Sequence, residues 1–119
     1  MKRLITGVLF MITAAVSAEP TYEIVHTKFK PEISVEKQKE LMATLSQIVQ
    51  KFDGFESRNY FYNKELNAWV DVVTWNNPRS ALAANELAMK NAEAFKVFAY
   101  MDEKNMIFSH YKRIDSITK

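Results

Sequence analysis

The order of periodic segments along the chain predicts an α+β fold in which one four-stranded antiparallel sheet carries two helices on one face. Apolar residues recur at spacings of three and four in two segments and alternate with polar residues in four others. These segments follow the order strand, helix, strand, strand, helix, strand, which is the ferredoxin-like split βαβ arrangement. At 119 residues the chain has room for one such domain.

The first two elements are a strand over residues 22–30 and a helix that follows it. The segment "YEIVHTKFK" alternates, and Pro31 ends it. Ser34 is a favourable N-cap, and Glu36 in the first turn complements the helix dipole. Gly54 predicts the end of the helix. Its regularly spaced apolar residues are Leu41, Met42, Leu45, Ile48, Val49 and Phe52.

The rest of the chain predicts a hairpin, a helical region and a last strand. Residues 55–62 and 68–75 are rich in aromatic and β-branched side chains and are joined by the polar "NKELN", which favours a hairpin. Asn77 followed by Pro78 marks a helix start, and the alanine-rich "PRSALAANELAMKN" continues it. The segment "AEAFKVFAYM" either extends that helix or begins a new one after Asn91, and "NMIFSHYKRI" alternates as a final strand.

The N-terminal residues 1–18 are expected to be a secretory signal peptide. Two basic residues precede a 13-residue apolar run, and small residues lead to a cleavage point before Glu19. The run is shorter than the roughly 20 residues that span a bilayer. We therefore expect a domain of residues 19–119 in the periplasm or secreted, with no stable membrane anchor after cleavage, and an uncleaved anchor is the alternative.

Composition excludes several classes of function. The chain has no cysteine, which removes disulfides, thiolate catalysis and sulfur-bound zinc. Loss of residues 1–18 would lower the count of basic residues from 16 to 14, equal to the 14 acidic residues. The charges are scattered, so no nucleic-acid partner is expected.

The alternation of "AWVDVVTW" places two indoles and a carboxylate on one face of its strand. Because two helices cover only one side of a sheet, this face is expected to lie on the uncovered side, where it would be too apolar to remain in water. A ligand or a second chain would then cover it. The residues expected there are Ile24, His26, Tyr60, Tyr62, Trp69, Asp71, Val73, Trp75, Met106, Phe108 and His110.

Four segments carry a resemblance to a known family: "GF" after the first helix, "WVDVVTW", "NNPRSALAA" and "MDEKNMIFSHY". Over residues 22–114 the chain resembles the antibiotic biosynthesis monooxygenase-like group of the dimeric α+β barrel superfamily. The resemblance implies a homodimer that pairs sheet against sheet around a barrel lined by the aromatic face. It also implies one of several roles, since members include cofactor-independent monooxygenases acting on quinol-like aromatics, heme-degrading enzymes and proteins with no known activity.

The chain departs from the heme-degrading branch of that family. That branch uses an Asn on the first strand, a Trp, and an iron-ligating His on the second helix. Here the first strand has no Asn, and residues 78–104 contain no His or Trp, with Met89 and Met101 as the only soft ligands. This argues against heme degradation by that mechanism, and no cofactor is expected.

Asp71, His26 and His110 are the candidate catalytic residues. An aspartate among valines needs a partner, which is either Arg58 on the paired strand or a substrate proton that Asp71 removes as a general base. The two histidines lie on the first and last strands, which are expected not to be neighbours. They could join Asp71 in a two-His, one-carboxylate metal site, although half-buried histidines without a metal are the simpler interpretation.

Trp69, Trp75, Tyr60 and Phe108 are the candidate ligand-binding residues, as walls of a slot for a planar molecule, and packing is their alternative role. The leading functional hypothesis is a cofactor-independent monooxygenase acting on a small aromatic or quinone-type molecule. The alternatives are a non-enzymatic dimeric binding protein for a small apolar ligand and a structural dimer.

Overall fold

The computed structural model describes residues 19–119, which form four strands, three helices and one short 3-10 turn. The expected signal peptide lies outside the described residues. The elements are β1 (Thr21–Thr27), α1 (Val35–Val49), β2 (Phe55–Asn63), β3 (Ala68–Trp75), α2 (Pro78–Lys90), α3 (Ala92–Phe98), the 3-10 turn (Glu103–Asn105) and β4 (Ile107–Tyr111).

The four strands form one antiparallel sheet in the order β2-β3-β1-β4, with all helices on one face, so the predicted α+β ferredoxin-like fold is confirmed. The expectation that the first and last strands are not neighbours is wrong. In the split βαβ arrangement the two halves interleave, and β1 takes a central position between β3 and β4.

The helix boundaries follow from the predicted caps. The Ser34 side chain accepts a hydrogen bond from the Lys37 amide, and the Asn77 side chain accepts one from the Ser80 amide. Asn91 ends α2 in an extended conformation and caps α3 through the Ala94 amide. The helical region therefore restarts after Asn91 rather than continuing.

The prediction about which face carries the indoles is wrong. Trp69, Asp71, Val73 and Trp75 are all buried, and the helices cover their side of the sheet. The register places Thr27 opposite Trp69. The odd-numbered residues of β1 therefore share the helix-covered face with those of β3. Large indoles gain most from the deepest burial, but alternation alone does not reveal which face the helices will cover.

The uncovered face of the sheet, here called the open face, carries the residues of opposite parity. Ile24 and His26 lie there as predicted, whereas the other residues expected on that side belong to the helix-covered face. The open face is formed by Tyr22, Ile24, His26, Asn59, Phe61, Val70, Val72, Thr74, Ile107, Ser109 and Tyr111.

A bulge and a glycine set the geometry at one end of the sheet. The β2–β3 register shifts between Phe55 and Ser57, so Phe55 meets Trp75 edge-on on the helix-covered face. Gly54 has a φ of 85° and lies against Ser80 so closely that a Cβ atom would collide with its side chain. This contact holds the start of α2 against the sheet.

The apolar core lies between the sheet and the helices. The larger cluster joins Phe29, Trp69, α1 and α3, and a smaller cluster joins Trp75 to the alanine face of α2. Burial of each large side chain contributes roughly 1.5–3 kcal/mol. No helix among residues 19–119 is long and apolar enough to cross a bilayer.

Candidate functional site

A chamber of about 290 Å³ lies between the sheet and the three helices. Its lining is mostly apolar, as is usual for sites that bind small molecules. All four methionines of residues 19–119 line it, namely Met42, Met89, Met101 and Met106. Its exposed rim includes Met89, Phe95 and Phe108. The charged residues that line it are Glu23, Arg58, Asp71 and Glu103.

Glu23 is the charged residue of this chamber that is best placed to act on a ligand. It lies in the middle of β1, opposite Val73 on one side and His110 on the other. Its Oε1 atom accepts a hydrogen bond from Trp75 Nε1 at 3.3 Å, and His110 Nε2 lies 3.5 Å from the same oxygen. Both groups converge on Oε1, and Oε2 accepts no hydrogen bond from residues 19–119.

The surroundings of Glu23 change its acidity. Burial, followed by the negative charge of Asp71, raises the pKa of Glu23 from 4.5 to about 7. The hydrogen bond from Trp75 and the positive charge of Arg58 act in the opposite direction and limit the rise. A carboxyl group with a pKa near 7 is present in both protonation states at neutral pH, as a general base requires.

Asp71 forms a buried ion pair with Arg58. This is the first of the two partners predicted for Asp71, the other being a substrate proton. Arg58 donates from Nε to Oδ1 at 3.0 Å and from Nη2 to Oδ2 at 2.8 Å, and the two side chains are 3% and 11% exposed. Arg58 Nη1 also donates to the Met42 carbonyl and the Ser46 hydroxyl, both at 2.6 Å. The pair therefore ties the sheet to α1, and Arg58 has no free nitrogen for a ligand.

His110 lies opposite Glu23 on the neighbouring strand β4 and does not line the chamber. Its Nε2 atom is buried and has no hydrogen-bond partner in the part of the chain that the structure describes, since the 3.5 Å approach to Glu23 lacks hydrogen-bond geometry. Burial lowers the pKa of His110 below its usual 6.5. The ring packs edge-on against Phe108, with 5.3 Å between the ring centroids.

The two tryptophans have different surroundings. Trp69 lies outside the chamber, donates from Nε1 to Gln38 Oε1 at 2.9 Å, and packs its ring 4.8 Å from that of Tyr62. Trp75 lines the chamber and donates to Glu23. Of the two indoles, only Trp75 is placed to form a wall for a ligand.

The remaining predicted residues are dispersed. His26 lies on the open face, on the opposite side of the sheet from Asp71, because its position in β1 has the other parity. Tyr60 lies on the helix-covered face, where Arg58 stacks over its ring at 4.2 Å, but it does not line the chamber. Phe108 does line it.

The two-His, one-carboxylate hypothesis is wrong because the two histidines lie on opposite faces of the sheet. Among residues 19–119, no three His, Cys, Asp or Glu side chains lie close enough together to hold a metal ion.

Sequence reasoning missed Glu23, although a signal was present. Glutamate is also disfavoured in the middle of a strand, although less than the aspartate at position 71, and a buried carboxyl group needs a partner in either case. The sequence alone does not show that β1 pairs with β4. This pairing places His110 directly opposite Glu23.

No protein-family model matches this sequence, and no curated protein is similar enough to count as a relative. Solved structures do share its fold. SnoaB, a cofactor-independent oxygenase from Streptomyces nogalater, is 9% identical with a TM-score of 0.69 over 86% of this chain and 100% of its own. A hydroxynitrile lyase from Passiflora edulis is 10% identical with a TM-score of 0.59 over 85% of this chain and 99% of its own.

A third structure is a dimeric ferredoxin-like protein of unknown function from Jannaschia sp. CCS1. It is 12% identical, with a TM-score of 0.58 over 79% of this chain and 99% of its own. At such low identities the likeness establishes the fold. The fold implied by the sequence resemblance is thereby confirmed.

Proposed function

We propose that this protein is an enzyme that removes the proton from a hydroxyl group of a small aromatic molecule, with Glu23 as the general base. The observation that carries the proposal is a carboxyl group with a pKa of about 7 at the wall of an apolar chamber, with Oε2 free of protein donors from residues 19–119. An uncharged planar molecule suits the lining, because Arg58 is fully engaged by Asp71 and α1 and leaves no cation to bind an anionic group.

The reaction that we propose is monooxygenation without a cofactor. Loss of the hydroxyl proton to Glu23 leaves an electron-rich phenolate, which transfers one electron to O₂. Recombination of the radical pair at the para carbon forms a C–O bond to a peroxide anion, which takes a proton from water. Cleavage of the O–O bond with loss of the para C–H proton then releases water and leaves a quinone. For 1-naphthol, one O₂ is consumed and one 1,4-naphthoquinone and one water are formed, so the aromatic ring is the only reductant. The description of SnoaB as a cofactor-independent oxygenase supports this choice.

The chamber supports a small substrate. A volume of about 290 Å³ is at the low end of the range of sites that enclose small molecules. The four methionines give the walls flexible, polarisable side chains that adapt to flat molecules of different outline. The same observation favours a second candidate function, which is binding of a small apolar ligand without turnover.

The test uses residues 19–119 with 1-naphthol, following O₂ consumption and the absorbance of 1,4-naphthoquinone. We expect turnover by the wild type and a loss of kcat/KM on the order of 100-fold or more in Glu23→Gln. Glu103→Gln is the matched control, because Glu103 lines the same chamber but is exposed, and it should retain the wild-type rate.

Three other outcomes have distinct meanings. Equal rates in Glu23→Gln and the wild type would contradict the role of Glu23. Binding of 1-naphthol that Trp75 fluorescence reports, with no O₂ consumption, would favour the binding protein. The absence of both binding and turnover would contradict both functions for this class of ligand.

We also propose that a second copy of the chain covers the open face. Phe61 and Ile107 are each 60% exposed there and lie beside half-buried aliphatic residues. The dimeric description of the Jannaschia protein supports this proposal. Light scattering should find a dimer for the wild type and a monomer for Phe61→Glu. Leu82→Glu, at an equally exposed site on α2, should remain dimeric, and a monomeric wild type would contradict the proposal.

Export remains a proposal that rests on the pattern of residues 1–18. Mass spectrometry of the chain recovered from its native host should find an N-terminus at Glu19 outside the cytoplasm. A membrane-bound chain that still begins at Met1 would contradict it.

A further inference from the structure

We infer that His110 relays the proton of Glu23 to solvent, so that the base is restored after each turnover. The inference rests on the proposed function of Glu23, and it assigns the next step, in which the proton leaves the chamber. The geometry that supports it is the position of the imidazole directly opposite Glu23 on β4, within 3.5 Å of its carboxyl group and outside the lining of the chamber.

Nε2 of His110 is an unpartnered polar atom close to Glu23. This nitrogen is buried, has no hydrogen bond to residues 19–119, and lies 3.5 Å from Glu23 Oε1. An unpartnered polar atom inside a protein is costly, and a small movement of either side chain would form the hydrogen bond. The arrangement is thus ready to form a contact between the two groups.

The imidazole connects an enclosed group to water. The Glu23 side chain is 13% exposed and that of His110 is 23% exposed. Because Nε2 is buried, the accessible surface belongs to the rest of the ring. A histidine can accept a proton on one ring nitrogen and release another from the second nitrogen. One side of the ring therefore meets Glu23, while solvent reaches the other.

The proton passes from the substrate to solvent in two transfers. Glu23 takes the substrate proton on Oε2, and rotation of the carboxyl group about its Cγ–Cδ bond presents that proton to Nε2. His110 accepts it and releases the Nδ1 proton to water, which leaves Glu23 ionised and the imidazole neutral. No electrons move in this step, and water is the final acceptor.

Among the side chains around Glu23, His110 is the one suited to relay its proton. Asp71 on β3 and Arg58 on β2 neutralise each other, and the Trp75 indole on the same side donates but cannot accept a proton. The 3-10 turn contributes the exposed Glu103 at the rim. The helices contribute no charged side chain to the chamber lining among residues 19–119.

The experiment measures proton exchange at Glu23 directly and needs no ligand. In protein labelled with ¹³C at glutamate side chains, the Glu23 carboxyl signal is assigned by its absence in Glu23→Gln. Near the midpoint of its titration, the line width of this signal reports how fast the carboxyl group exchanges its proton with solvent. We expect His110→Gln to slow this exchange on the order of 100-fold, the lower end of what a positioned proton-transfer group contributes.

Two further variants separate a relay from a structural role. His26→Gln replaces the histidine on the open face and should leave the exchange rate unchanged. His110→Ala should show slow exchange that free imidazole restores, because the added base can enter the space of the missing ring. A purely structural role would not respond to imidazole.

An unchanged exchange rate in His110→Gln would overturn the relay, and so would slow exchange in His110→Ala that imidazole fails to restore. Failure of the proposed function is recognised separately. It would appear as a lack of 1-naphthol turnover by the wild type, whereas the exchange measurement is made on the free protein.

Discussion

A tryptophan lies at each end of β3. The two side chains are similarly buried but have different hydrogen-bond partners. Trp69 is 4% exposed and Trp75 is 1% exposed, and each donates its indole N–H to a side-chain oxygen. At the Trp69 end the acceptor is the neutral amide of Gln38, which is fully buried and also donates to the Ile33 carbonyl at 2.9 Å. At the Trp75 end the acceptor is the carboxyl group of Glu23, which lines the chamber.

The comparison shows that the partner of an indole, more than its burial, distinguishes the two ends of β3 chemically. An amide whose oxygen and nitrogen are both bonded has fixed chemistry, so the Trp69 end acts only as core. A carboxyl group with one oxygen bonded and a raised pKa can still exchange a proton, so the Trp75 end keeps a titratable group at the chamber. Exchanging the two acceptors should therefore change stability in opposite directions.

The largest change in stability is expected when the Gln38 amide at the Trp69 end is replaced by a carboxyl group. Gln38→Glu would place an ionisable group at a fully buried position and would lose the donor to the Ile33 carbonyl. We expect the free energy of unfolding to fall by about 3–5 kcal/mol above neutral pH, as for other uncompensated buried charges. Urea denaturation measures this change. Gln47→Glu, at an exposed position of α1, is the control and should stay within about 0.5 kcal/mol of the wild type.

The reverse exchange at the Trp75 end should stabilise the protein, but only at high pH. The raised pKa of Glu23 means that the native state binds this proton more tightly than the unfolded state does, so its contribution is complete below pH 4.5 and is lost as the pH rises through about 7. Glu23→Gln removes that loss. We expect a gain on the order of 3 kcal/mol well above neutral pH and little change below the unfolded-state pKa.

Urea denaturation of Glu23→Gln and wild type across this pH range is the measurement. Glu56→Gln, at an exposed position of β2, serves as the control and should follow the wild type at every pH. A stabilisation that is equal at low and high pH would show that the carboxyl group of Glu23 is not the cause.

The smallest effects separate the two indoles themselves. Trp75→Phe removes the hydrogen bond that lowers the pKa of Glu23, so the pH at which 1-naphthol oxidation is half-maximal should move upward. Trp69→Phe should leave that pH unchanged. It should instead cost about 1–3 kcal/mol of stability, because the oxygen of Gln38 would lose its buried donor. Matching shifts of the pH profile in both variants would remove the distinction between the two ends.

Local signals in the sequence were sufficient to predict the elements. The caps at Ser34 and Asn77 and the alternation of the strands depend on residues close together in the chain, and all are present in the structure. The pair of Asp71 with Arg58 was also predicted, because a charged residue among valines on one strand of a hairpin restricts the choice of partner.

Predicting the site required knowing which distant strands pair, and the sequence alone does not show this. The face that carries Trp75 follows from the register of β3 with β1, and the neighbour of Glu23 follows from the register of β1 with β4. A shift of one residue in either register would move every side chain to the other face. The prediction therefore placed the indoles on the wrong side of the sheet and included His26, while Glu23 went unrecognised.

The central claim is that Glu23 is a carboxyl group set apart from the others by its position in the chamber. The most direct test is a ¹³C NMR titration of its side-chain carboxyl carbon in the free protein, assigned with Glu23→Gln. A midpoint at about pH 7 is the result expected from its burial beside Asp71. A midpoint near 4.5, the ordinary value for glutamate, would contradict the account, because Glu23 would then be fully ionised at neutral pH and too weak a base for the proposed reaction.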